Sequence, residues 1–180
     1  VFNFLAFGTA KDKIKQGIKA PSPLAAGLFF RKTVAALGAP EDSFKSNWAL
    51  QAAISFAAGL PCFTFSFKKC HVAYLVLEGG EGYILERLED KIEAMGLSHM
   101  RDEIMERIYI VDCSDKQLDD EATAKDIRES LAALNPRPEV AVFDPITYAL
   151  NEDVRYSPNK TRLCREGLRI AKTLNGLVLF

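Results

Sequence analysis

The hydrophobic pattern of this chain alternates between two periods. Unbroken apolar runs at 33–37, 72–77, 108–111, 140–143 and 177–180 read as short strands buried on both faces. Between them lie helical patterns. Residues 46–58 are apolar almost all round (Trp48, Leu50, Ile54, Phe56), as in a helix buried on most sides. In 81–95, Ile84, Leu85, Leu88, Ile92 and Met95 share one face. In 119–134, Ala124, Ile127, Leu131 and Leu134 fall in line, and in 159–174 so do Leu163, Gly167, Ile170, Ala171 and Leu174. Gly59, Gly96, Asn135-Pro136 and Asn175-Gly176 stop these helices. Phe63, Phe65 and Phe67 alternate with Thr64 and Ser66, predicting a half-buried strand that turns at Lys68-Lys69. Strands alternating with helices predict an α/β fold: a mostly parallel central sheet with helices on both faces. Residues 1–32 read as a lead-in with a basic stretch at 11–19 and a break at Ala20-Pro21-Ser22-Pro23; residues 33–180 read as the core.

Composition narrows the function classes. The 180 residues are 48% hydrophobic and 26% charged, enough for one domain with a substantial core and too apolar for a disordered chain. Lys and Arg number 23 against 24 Asp and Glu, so any nucleic-acid contact must be a local feature. Cys62, Cys70, Cys113 and Cys164 form no CxxC pair, and His71 and His99 stand outside ligand spacing; reduced thiols of a cytoplasmic protein are the expectation. Residues 47–67 are uncharged and long enough to span a bilayer. Asn47, Gln51 and the Gly59-Leu60-Pro61 break argue against it. The chain starts at Val1 and stops at Phe180 inside an apolar run, so we expect a piece of a longer protein, C-terminally incomplete.

In a parallel sheet, ligands gather beyond the carboxyl ends of the strands. Three such ends carry chemistry. The first strand is followed by Gly38-Ala39-Pro40-Glu41-Asp42-Ser43-Phe44-Lys45-Ser46-Asn47, running into a helix. A strand-to-helix loop ending in Lys-Ser is the layout of a phosphate cradle: backbone amides wrap phosphates, Lys45 reaches the β- and γ-phosphates, and Ser46 ligates Mg²⁺. The glycine expected before the lysine is replaced by Phe44, and Gly38 stands one position early. An ordinary strand-to-helix turn is the competing reading of the loop alone. Asp144 ends the 140–143 strand, where a metal-supporting aspartate belongs; a turn aspartate is the alternative. Glu78 ends the 72–77 strand, where a base for an attacking water belongs; a helix N-terminal acid is the alternative. The three in order predict ATP binding.

Residues 38–50 (GAPEDSFKSNWAL), 74–82 (YLVLEGGEG) and 140–145 (VAVFDP) resemble the RecA-like P-loop ATPases, and among them the RepA/DnaB-type hexameric replicative helicases of plasmids and phages. The resemblance runs from about Pro21 to Phe180. It implies a Mg²⁺-dependent ATPase coupled to movement on single-stranded DNA, working as a homo-oligomeric ring. By resemblance, Lys45 and Ser46 hold phosphate and Mg²⁺, Glu78 is the catalytic base and Asp144 supports the metal. A nucleotide-binding regulatory or assembly module with weak or no hydrolysis, motivated by Phe44, and a RecA- or clock-type ATPase remain alternatives. Arg155 reads as a solvated loop residue with a possible DNA or neighbour contact, and Trp48 reads as core.

Overall fold

The computed structural model describes residues 9–38, 43–116, 120–145 and 157–180, with side chains from 161 onward in the last stretch. The predicted Ala39, Pro40, Glu41 and Asp42 of the loop, and Arg155, lie outside the described residues. The chain runs α1 (Ala10–Lys15), β1 (Pro23–Ala25), β2 (Phe29–Phe30), β3 (Thr33–Ala35), α2 (Lys45–Ala58), β4 (Val72–Val76) and α3 (Gly80–Ala94). A 3₁₀ turn (Ser98–Met100) leads into α4 (Arg101–Met105), β5 (Ile108–Asp112), α5 (Glu121–Ala133), β6 (Val140–Asp144), α6 (Ser157–Leu174) and β7 (Leu177–Leu179).

Five strands form one parallel sheet in the order β3-β7-β6-β4-β5, and helices cover both faces, as the alternating pattern predicted. The two faces follow the strand period of two. Val72, Tyr74, Val76, Val140, Val142, Leu177 and Leu179 join the core beneath α2, α3 and α4. Ala73, Leu75, Leu77, Ala141, Phe143 and Val178 join a second core beneath α5 and α6. Helix α2 buries every residue from Ala49 to Ala58 except Gln51, which explains its apolar circumference.

Three details depart from the pattern. The Phe63–Phe67 alternation is not a strand. Cys62 and Phe65 exchange backbone hydrogen bonds across a tight turn, and Phe63, at φ 52°, stands exposed at its tip. Phe67 alone of the three is buried, bridging Ala25 and packing on Phe56 with the rings tilted by 54° and their centroids 4.4 Å apart. Its partner is the β1–β2 hairpin, which the sequence pattern left unassigned within the lead-in and which sends Leu24, Ala25 and Phe29 into the core. On α3, Ile84, Leu88 and Ile92 are buried, whereas Leu85 is exposed at the edge of the apolar stripe.

The amino ends of the strands are closed by short contacts. A Cβ on Gly176 would lie 2.0 Å from the Glu139 carbonyl oxygen, so only glycine fits where α6 turns into β7. Leu177 N–H donates to that carbonyl at 2.8 Å. Arg31 pairs with the Glu139 carboxylate and donates from Nη1 to the Asn175 carbonyl at 2.9 Å. A Cβ on Gly167 would meet the Phe180 ring at 2.8 Å, so the missing side chain lets α6 settle onto the sheet.

Charge is divided between the faces. Residues 80–107, covering α3 and α4, hold eight acidic and four basic residues; α6 holds five basic and one acidic. Among the described residues, no helix is long and apolar enough to cross a membrane.

Candidate functional site

The parallel register brings the predicted residues to one rim. Strand β3 ends ahead of the loop, and α2 begins at Lys45 on the same face as Tyr74 and Asp144. Register pairs Val76 with Asp144, and Tyr74 with Val142. Tyr74 therefore sits one pleat below Asp144 on the same face, and its hydroxyl reaches up the sheet. It donates to Asp144 Oδ2 at 2.6 Å. Ser46 Oγ donates to the other oxygen, Oδ1, at 2.8 Å. Asp144 is 8% exposed, so these two bonds replace most of its water. Burial, the Asp144 charge and the hydrogen bond to it all push the Tyr74 phenol well above the usual tyrosine range, keeping it a donor.

Helix α2 begins without a side-chain cap. Its N-cap residue, Phe44, lies in the left-handed region at φ 59°, ψ 29°, and its ring is 77% exposed. This is the backbone shape for which glycine was expected before Lys45. The phenylalanine adopts it at a cost of about 1–2 kcal/mol and turns its ring outward to solvent. Trp48 N–H donates to the Phe44 carbonyl, so the amides of Lys45, Ser46 and Asn47 precede the first intrahelical bond and point off the helix end. Lys45 and Ser46 are half-buried, Ser43 and Gly38 exposed. Asn47 accepts from Lys91 Nζ at 3.0 Å through Oδ1, tying α2 to α3. Trp48 packs against the core, edge-on to Phe29 at 6.4 Å, as the sequence suggested.

Two adjoining clefts open along this rim. One, of ≈ 480 Å³, is lined by Ser46, Glu78, Asp144 and Pro145 with Gly79, Tyr83, Ile84 and Arg87 of the β4–α3 segment. The other, of ≈ 440 Å³, is lined by residues 43–47 with Tyr83 and Arg87. Glu78 is exposed, and Gly79 and Gly80 follow it with φ of 81° and 77°, turning the chain sharply into α3. Ser46, Glu78 and Asp144 thus share one cleft, and Lys45 lines its neighbour. Ser46 Oγ and Asp144 Oδ1, 2.8 Å apart, have the spacing of two adjacent oxygens around a small hard cation with bonds of about 2.0–2.1 Å. Among the described residues, no group of three or more Asp, Glu, His or Cys could hold a metal.

Three residues escaped the sequence reading. Tyr74 read only as part of an apolar strand. Tyr83 and Arg87, within the predicted 81–95 helix, drew no reading of their own, yet they line both clefts, with the Arg87 guanidinium 5.4 Å from the Tyr83 ring centroid. Their i, i+4 spacing one turn after Glu78 was the available signal.

The family model of the AAA domain matches residues 3–180. The chain belongs to the AAA domain family. The AAA domain here has the fold of a RecA-like P-loop ATPase. A similar solved structure is the KaiC-like protein PH0186 from the hyperthermophilic archaeon Pyrococcus horikoshii OT3, with a TM-score of 0.55 and 18% identity over 90% of this chain and 68% of that one. No curated protein sequence matches.

Proposed function

We propose that this AAA domain binds Mg²⁺-ATP at the carboxyl rim of the sheet and hydrolyses it. The observation that carries the reading is the Ser46–Asp144 hydrogen bond in a cleft shared with Glu78. Loop amides and the α2 N-terminus would hold the phosphates, with Gly38, Ser43, Phe44 and Asn47 as cradle residues beside Ala39, Pro40, Glu41 and Asp42. Lys45 would neutralise the β- and γ-phosphates. Ser46 and Asp144 would hold the Mg²⁺, which supplies charge neutralisation at the phosphate oxygens when bound. Glu78, exposed at the cleft, would orient and deprotonate the attacking water. Tyr74 would fix the Asp144 carboxylate without touching the nucleotide.

The resemblance of residues 38–50, 74–82 and 140–145 to RepA/DnaB-type helicases supports a finer reading: a cytoplasmic homo-oligomeric ring that couples turnover to movement on single-stranded DNA in replication. The left-handed Phe44 favours a second reading, a regulatory or assembly module that binds nucleotide and turns it over slowly or not at all. Turnover and nucleotide affinity of the full-length protein, with and without single-stranded DNA, separate the two. The Lys45→Ala variant should lose turnover by about 10³-fold, roughly 4 kcal/mol of transition-state stabilisation, with its unfolding midpoint unchanged. Parental turnover in that variant sinks the site assignment; binding without turnover in the parent selects the regulatory module.

A further inference from the structure

The second face of the sheet carries a site unrelated to the ATP cleft. Arg162, Arg165, Arg169 and Lys172 are all exposed on α6. Their spacing of i, i+3, i+7 and i+10 places them within an arc of roughly 80° over about 15 Å of helix. The three arginines and Thr161 line a cavity of ≈ 530 Å³, with Glu121 and Glu166 in its wall.

The acids in that wall do not cancel the cavity. Glu166 is 4% exposed, 2.6 Å from Arg169 Nη1 and 3.8 Å from Arg128 Nη1. A buried carboxylate needs such pairing, and here it fixes one arginine at the cavity wall and ties α6 to α5. Glu121 stands 3.8 Å from Arg169 with its side chain 80% exposed, where ion pairs are worth little. Asp120, whose carboxylate is held below the usual range chiefly by hydrogen bonds to Thr123 and least by the Arg162 charge, is engaged in capping α5. Among the described residues, Arg162 and Arg165 form no ion pair and define the field of the cavity.

We propose that the α6 stripe binds the phosphodiester backbone of nucleic acid. A straight row of guanidiniums suits a linear polyanion, because each planar fork can take a phosphate through two hydrogen bonds. The chain's own acidic face is the competing partner: of its eight carboxylates, Glu89, Asp102 and Glu103 are already paired with Arg101, Lys69 and Arg107, and contact between copies is an outcome that the test separates. The proposal does not rest on the ATP cleft, and either can fail alone.

The test uses the full-length protein and fluorescein-labelled 20-mers, single-stranded and duplex, titrated at several salt concentrations. The double variant Arg162→Glu/Arg165→Glu changes two exposed side chains outside the cleft, and Lys68→Glu serves as a charge control on a distant loop. The double variant should bind at least tenfold more weakly. Its dependence of log K on log salt should flatten by about 1.4 on single strands or 1.8 on duplex. Basal ATP turnover should stay at the parental value. A loss on one substrate identifies which form of nucleic acid the stripe reads. No binding by the parent, a loss no larger than that of the Lys68→Glu control, or an unchanged salt slope overturns the proposal. So does a loss that coincides with dissociation of an oligomer, which would assign the stripe to contact between copies.

Discussion

The two ends of the strands are built on opposite terms. At the amino ends, the chain mostly closes on itself: Gly176 against the Glu139 carbonyl, Arg31 on Glu139 and Asn175, and Glu139 N–H on the His71 carbonyl, with Arg107 Nε a buried donor there that finds no hydrogen bond. At the carboxyl ends, a phenylalanine is held in a left-handed conformation, a helix starts without a side-chain cap, and an aspartate is buried between two hydroxyls. Helix α5 shows that the second arrangement is a choice. It begins at Asp120, whose carboxylate accepts from Thr123 N–H at 2.8 Å, and its first turn is thereby completed. The chain closes on itself at one end of the sheet and, at the other, leaves helix-end amides and a carboxylate beside an open cleft, where the proposed chemistry would take place.

That contrast can be broken by mutation. The largest effect is expected from Gly176→Ala at the amino end. With 2.0 Å between the new Cβ and a carbonyl oxygen, the α6–β7 turn must open, at a cost of roughly 3 kcal/mol or more. Urea denaturation should show it, with turnover per folded molecule preserved. Selective loss of turnover at parental stability would erase the distinction between the ends.

Tyr74→Phe at the carboxyl end comes next. Losing a hydrogen bond to a charged acceptor is worth about 1.5–3 kcal/mol. The expected reading is a several-fold higher Mg²⁺ concentration for half-maximal turnover. A fall in melting temperature with an unmoved Mg²⁺ requirement would make Tyr74 a core residue only.

Phe44→Gly sharpens the comparison in the opposite direction. Relief of 1–2 kcal/mol of left-handed strain, less the extra chain entropy of glycine of about 0.5–1 kcal/mol, should stabilise the domain by roughly 0.5–1 kcal/mol. Calorimetry that finds the variant less stable would mean that the Phe44 ring makes a contact worth more than the strain.

The smallest effect concerns pH at the amino end. Burial first, then the Arg107 charge, holds the His71 pKa below its ordinary 6.5, against the pull of Glu139. The unfolded chain therefore takes up the proton first. Stability should be at its full value above pH 6.5 and decline as pH falls from there toward the depressed folded pKa. His71→Gln should flatten that slope; a slope of the same size in the variant would assign the effect to other groups.

The fold was legible because strands buried on both faces leave unbroken apolar runs, and 72–77 and 140–143 have no other reading between helical patterns. The hairpin at Pro23–Phe30 was not legible, since strands of two and three residues are too short to show a period. Phe63 misled because alternation with threonine and serine cannot tell a strand from a turn whose tip happens to be aromatic. Ser46, Glu78 and Asp144 stood out by their order behind three strands, and the structure lines one cleft with them. Tyr74 could not stand out: periodicity says that a tyrosine is buried, but only the register between β4 and β6 says which oxygen its hydroxyl meets. Arg87 was hidden for the converse reason, because an arginine on an amphipathic helix is ordinarily solvated.

The division of charge between α3–α4 and α6 has an electrical consequence. With a net charge of only −1, the molecule nevertheless carries opposite poles on its two helical layers, and so behaves as a dipole. It should be retained weakly by both anion- and cation-exchange matrices near neutral pH, and a charged partner would feel a preferred orientation before any contact forms.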